Sequence, residues 1–169
     1  IQRAFDSDIN ILVTICTRYS KFDQILSIAN LDPRIFCSVG IHPHQVEEED
    51  PITVEKLLTA STHPKVIGIG ETGLDYYYDQ SPRDAQRTSF RKHIEAARET
   101  QLPLIVHTRD ADEDMANILR EEMDLGIFPG VLHCFSSGQE LANTAIELGF
   151  YLSLSGILTF KNAENLRNI

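Results

Sequence analysis

Six times along the chain a short apolar run gives way to a polar turn and then to a segment of helical period. The runs are ILVTICT (11–17), IFCSVGI (35–41), VIGIG (66–70), LPLIVH (102–107), GVLHCF (130–135) and FYLSLSG (150–156). As a set they lack the polar–apolar alternation of strands with one wet face. Strands of this kind, separated by helices, predict a parallel sheet covered on both sides.

The segments between the runs carry helix signals. Ser20 with Asp23 reads as a capping box, placing Phe22, Ile25, Leu26 and Ala29 on one face. A weaker helix is expected around 53–60. Ser81 reads as an N-cap with Pro82 at the first helical position, followed by Phe90, Ile94 and Ala97 at helical spacing. A helix near 112–123 carries Met115, Ile118 and Leu119. Ser137 and Glu140 form a second capping box before Leu141, Ala145 and Leu148, and Gly149 marks the stop.

An α/β fold follows, and a TIM-type (β/α)8 barrel fits better than an open doubly wound sheet. About six βα units are present where the barrel has eight, in 169 residues rather than the typical ~250. One domain is expected over 1–169, with no linker or low-complexity stretch dividing it. GIGETG (68–73) superficially resembles a dinucleotide-binding glycine loop. The acidic residue that should follow a second strand ~20 residues later is missing, so that reading is weak.

A net charge of −10 argues against broad electrostatic capture of nucleic acid, though not against a local phosphate site. Bound divalent cations would reverse the field inside an acidic cleft. No apolar run is long enough to span a membrane. The start, IQRAFDSDIN, has no signal-peptide pattern. Cys16, Cys37 and Cys134 are odd in number and lie in apolar runs without a CxxC pair. They read as reduced core thiols of a cytoplasmic protein.

The chemistry is suggested by polar residues at strand ends. Glu71 follows the third run, His107 ends the fourth, His133 lies near the end of the fifth and His42 follows the second. In a parallel barrel all carboxyl ends open on one face, so these four would converge. Imidazole nitrogen with carboxylate oxygen is a ligand set of hydrolytic metal sites. Singly, each has a plainer role: a core histidine, a capping carboxylate, and for Asp75 a turn position after Gly73. His63 and His93 fall in or beside helical segments and read as surface or core residues.

Taken together, GIHPH (40–44), IGIGETGLDYYYD (67–79), PLIVHTRDA (103–111) and VLHCFSSG (131–138) closely resemble the TatD family of metal-dependent deoxyribonucleases. These belong to the amidohydrolase-like barrel hydrolases, and the resemblance covers essentially the whole chain. It implies a metal-dependent hydrolase that cleaves DNA phosphodiester bonds, in exonucleolytic fashion, with two divalent ions (Mg, Mn or Zn). It further implies that Glu71, His107 and His133 are metal ligands, with Glu71 and His42 in catalytic roles. His42, His44 and Arg109 would contact substrate, and Asp75 would orient Glu71 or the loop. Family members also carry an HxH pair on their first strand and a late Asp on their last. Neither is found here, so the first and eighth strands are expected to be absent.

Two other readings compete. A related barrel metallohydrolase could act on a small ester, amide or phosphoester, and a catalytically inactive binding protein could retain the barrel. DNA is the expected partner, through a short contact; no membrane and no protein partner are implied. Arg109, Arg83 and Lys161 are candidate phosphate contacts, and Tyr76, Tyr77 and Tyr78 could stack on a base or pack the rim.

Overall fold

The computed structural model describes residues 1–169. Its strands are β1 (Leu12–Thr14), β2 (Ile35–Val39), β3 (Val66–Asp75), β4 (Leu104–Arg109), β5 (Gly130–Leu132) and β6 (Tyr151–Leu152). Its helices are α1 (Gln2–Phe5), α2 (Phe22–Ala29), α3 (Val54–Ser61), α4 (Arg83–Thr100), α5 (Asp112–Leu125), α6 (Gln139–Glu147) and α7 (Glu164–Arg167). All six strands are parallel, and their spatial order is their chain order, β1 to β6. A doubly wound sheet would reverse direction partway. Winding one way only is the arrangement of a TIM-like barrel.

The helix faces read from spacing are the faces that pack. Phe90, Ile94 and Ala97 of α4 are fully buried, as are Met115 and Leu119 of α5. Gly149 ends α6 as expected. Its N–H donates to the Ile146 carbonyl and that of Phe150 to Ala145, a Schellman pair closed by a φ of +82° at the glycine.

The N-terminal caps differ from expectation because distant partners take the hydroxyls of Ser20 and Ser81, and a distant carboxylate meets the backbone at the start of α6. Ser20 lies in a 3-10 turn, and its N–H and Oγ–H donate to the Glu49 carboxylate at 2.8 and 2.6 Å. Ser81 Oγ accepts the Glu47 N–H at 3.1 Å, which leaves Pro82 at the cap of α4. Gly138, not Ser137, caps α6, and its N–H donates to Asp112 Oδ2 at 2.9 Å. Cys16 and Cys37 are buried as expected, whereas Cys134 is exposed at the mouth of the strand ends. Two residues beyond β5, its φ of +48° turns the chain and leaves the thiol exposed.

The third strand is also longer than its apolar run. It continues through Asp75 because Thr72 to Asp75 find partners at Val106 to Arg109 on β4. Glu71 therefore lies within β3, at a register shift between Gly70 and Thr72. Such an irregularity re-aims a side chain. The glycines of GIGETG serve this close strand approach. A Cβ on Gly73 would sit 1.9 Å from the His107 carbonyl oxygen, and one on Gly70 2.5 Å from that of Ile105.

Candidate metal centre

At the carboxyl ends of β2, β3 and β4 the structure gathers His42, His44, Glu71, Asp75 and His107. His42 and His44 flank Pro43, which starts a single 3-10 turn (Pro43–Gln45) just beyond β2. Glu71 is anchored by its own N–H, which donates to the Cys16 carbonyl beyond β1 at 3.0 Å. Its Oε1 lies 3.3 Å from His107 Nδ1 and 4.0 Å from His42 Nε2. Asp75 is completely buried; its Oδ2 meets His44 Nε2 at 2.7 Å and His107 Nε2 at 2.9 Å. Its Oδ1 accepts the Tyr78 N–H at 2.8 Å.

These contacts assign protons. A carboxylate only accepts, so His44 and His107 each donate from Nε2 to Asp75. His107 Nδ1 is thereby turned to Glu71. His42 Nδ1 accepts the His44 N–H at 3.2 Å, so its Nε2 carries the hydrogen and presents a donor. Ring nitrogens of His42, His44 and His107 lie within 4.8 Å of one another. Only His107 combines a nitrogen facing a carboxylate with a second nitrogen tied to another carboxylate. That pairing fixes the tautomer and orientation of a metal-ligating histidine.

The electrostatics agree. Burial pushes the His107 pKa down, but Glu71 and Asp75 outweigh it and hold it above the ordinary value. Burial likewise pushes Glu71 up, and the His107 hydrogen bond with neighbouring imidazoles brings it below the usual range. Asp75 is raised by burial and lowered further by Tyr78, His44 and His107, for a net fall. His42 goes the other way: burial, then the charge on His107, depresses it to about 4, so it is neutral at physiological pH.

His133 follows β5 and shares a cleft of about 810 Å³ with His107, Arg109, Tyr77 and Cys134. Its Nε2 is 3.4 Å from Cys134 Sγ, and its charge contributes to the lowering of Glu71. Arg109 points along the same cleft, with its guanidinium 3.9 Å from the Tyr77 ring centre. Arg83 is committed elsewhere, paired to Asp79 at 3.0 Å and stacked on Tyr76. Lys161 is exposed, beyond β6. His63 is half-buried and accepts the Lys65 N–H, and His93 belongs to the core.

One supporting residue had no signal in the sequence. Gln86 of α4 is fully buried; its Oε1 accepts the Asp75 N–H at 2.8 Å and its Nε2 donates to the carbonyls of Asp75 and Ser81. It clamps the backbone that aims Asp75. A lone glutamine on an amphipathic helix gives no hint of this.

A one-way parallel sheet with histidines and carboxylates gathered at its carboxyl ends places the chain in the class of TIM-like, metal-dependent hydrolase barrels. The chain belongs to the TatD related DNase family, whose profile matches residues 1–169. It is 40% identical over 170 residues to the uncharacterized metal-dependent hydrolase YcfH of Escherichia coli (strain K12), covering 99% of this chain and 62% of that protein. It is 28% identical over 157 residues to the 3'-5' ssDNA/RNA exonuclease TatD of Salmonella typhimurium (strain LT2), covering 92% of this chain and 60% of that one. The crystal structure of YJJV, a TatD homolog from Escherichia coli k12, superposes with a TM-score of 0.88 at 26% identity, over 99% of this chain and 64% of the other. The chain thus spans less than two thirds of these relatives' lengths.

Proposed function

We propose that this chain forms part of a divalent-metal-dependent phosphodiesterase that removes nucleotides from an end of DNA. The observation that carries the proposal is the approach of Glu71 Oε1 to His107 Nδ1 at 3.3 Å, with His107 Nε2 held by Asp75. Oxygen and imidazole donors so placed suit Mg, Mn or Zn. Glu71, His107 and His133 would hold one or both of two such ions. Bound cations would neutralise the phosphate and lower the pKa of an attacking water.

The other side chains have complementary work. His42, neutral and presenting Nε2–H beside Glu71, donates to a phosphate oxygen without competing for metal. His44 and Asp75 hold His107 in orientation from behind. Arg109 brings positive charge to the cleft in a chain of net charge −10. A short contact with a strand end suits that overall charge, because extended capture needs a basic surface. The relative named as an ssDNA/RNA exonuclease supports nucleic acid as substrate.

The test is release of nucleotides from a short DNA in magnesium or manganese, repeated with chelator. Chelator-sensitive release is expected, and Glu71→Ala is expected to abolish it while the far-ultraviolet circular dichroism is unchanged. Turnover by that variant at the parent's rate would remove Glu71 from the mechanism. Cleavage that persists in chelator would remove the metals.

A further inference from the structure

Three consecutive tyrosines leave β3, and the structure divides them. Tyr76 is half-buried; its hydroxyl donates to Asp114 Oδ2 at 2.5 Å and accepts from Arg87 at 2.9 Å. With Arg83 stacked 4.2 Å above its ring centre, Tyr76 packs the rim. Tyr77 and Tyr78 are instead 56% and 51% exposed, and neither hydroxyl has a protein partner. Tyr78 stands edge-on to His44, with ring centres 5.2 Å apart, and edge-on to Tyr77 at 4.8 Å. Tyr77 lines the cleft that holds His107 and His133.

Arg109 completes the arrangement. Its guanidinium lies 3.9 Å from the Tyr77 ring centre and 4.8 Å from that of Tyr78. Arg83, Arg87, Arg91 and Arg98 are all tied to carboxylates. Arg109 has no carboxylate or carbonyl partner, so the rings position its charge and leave its N–H donors free. Tyr77 and Arg109 both line the cleft that holds His107 and His133, and Tyr78 flanks them, so an exposed ring face and a guanidinium without a carboxylate partner lie side by side there. The combination suits a ligand with one planar face and one anionic group.

We propose that Tyr77 and Arg109 form a nucleotide subsite at the lip of this cleft, Tyr77 stacking on an unpaired base and Arg109 holding an adjacent phosphate. The proposal rests on the phosphodiesterase reading above and specifies its substrate. A base within a duplex is already stacked and paired, so the subsite selects single strands or frayed ends. Stacking is tolerant of base identity because every base has a π face. The phosphate contact is equally indifferent to sequence.

The test is equilibrium binding of a short, fluorescently labelled, phosphorothioate-linked oligothymidylate to the full-length protein in magnesium, read by anisotropy. Tyr77→Ala is expected to weaken binding about tenfold, and Tyr77→Phe to bind like the parent. On an abasic oligonucleotide of the same length the parent and Tyr77→Ala are expected to bind alike. Arg109→Ala is expected to lower the slope of log affinity against log salt by about 0.7, one phosphate's share for a single strand. Thermal melting of each variant checks that the exposed positions leave the fold intact. Equal binding by parent and Tyr77→Ala, or equal weakening on the abasic strand, would overturn the stacking subsite. If the parent still cleaves DNA, the phosphodiesterase reading survives that result. A parent that neither binds nor cleaves any oligonucleotide would overturn both.

Discussion

His93 and His107 are the same side chain in two surroundings, and the two regions they occupy divide the molecule. His93 sits on α4, fully buried against the sheet. Its Nδ1–H donates to the Ser89 carbonyl at 2.7 Å, and its Nε2 accepts the Ile41 N–H at 3.0 Å. Both ring nitrogens are spent on backbone, no carboxylate is near, and burial drives its pKa to about 4. His107 is also largely buried, but it lies between two carboxylates that overcome desolvation and raise its pKa. Burial alone therefore does not distinguish the two histidines. What separates the two is a carboxylate beside each nitrogen of His107, the arrangement on which its proposed role rests.

Exchanging the two positions should break the comparison most sharply. His107→Leu is expected to cut metal-dependent turnover by about 100- to 1000-fold, the scale of a lost transition-state contact. Its metal affinity, measured by calorimetry, should fall in parallel. His93→Leu is expected to leave metal affinity intact yet destabilise the fold by about 3 kcal/mol in urea denaturation. It strands the Ile41 N–H in the core. Equal loss of metal binding in both variants would erase the distinction.

A smaller effect concerns pH. His93 has a folded pKa of about 4 against an ordinary 6.5, so between these values the unfolded chain binds more protons than the folded one. Its contribution to stability is thus intact above pH 6.5 and is lost as the pH falls towards 4. The expected slope is at most about 1.4 kcal/mol per pH unit. Urea midpoints measured across this window should fall with pH in the parent, and fall less in His93→Gln.

The smallest effect separates carboxylates in the same way. Glu121 meets Arg91 on the surface, with 61% of its side chain exposed. Glu121→Ala is expected to cost under about 0.5 kcal/mol. Asp75 accepts three hydrogen bonds at zero exposure. Asp75→Asn is expected to lower metal affinity by about 10- to 100-fold, because it loosens the grip on His107.

Much of the fold was legible because strand order in a parallel barrel follows chain order and each unit announces itself by an apolar run. Boundaries were less so. β3 reaches Asp75 only because Thr72 to Asp75 meet β4, and no local signal in TGLD foretells that pairing. Ser20 and Ser137 carried correct cap chemistry for helices they do not cap. Glu49 takes the first, and Asp112 fills the N-terminus the second was expected to cap, from 29 and 26 residues away along the chain. Cys134 looked like a core thiol because its neighbours are apolar, but its positive φ turns it out.

By itself the sequence determined which units carry polar residues towards the carboxyl ends of their strands, His42 beyond β2, Glu71 in β3, His107 in β4 and His133 beyond β5, although β3 and β4 run on past Glu71 and His107 to Asp75 and Arg109. It also determined that parallel winding brings such ends to one face. Those are local properties, set by hydrophobic runs and by the direction of the chain. The tertiary structure decided which histidine is neutral, which nitrogen faces Glu71, and that Asp75 grips two imidazoles while Gln86 holds Asp75. Desolvation and hydrogen bonding act through neighbours 31 to 32 residues apart in the chain for Asp75 and its histidines. Such distances are set only when the strands pack.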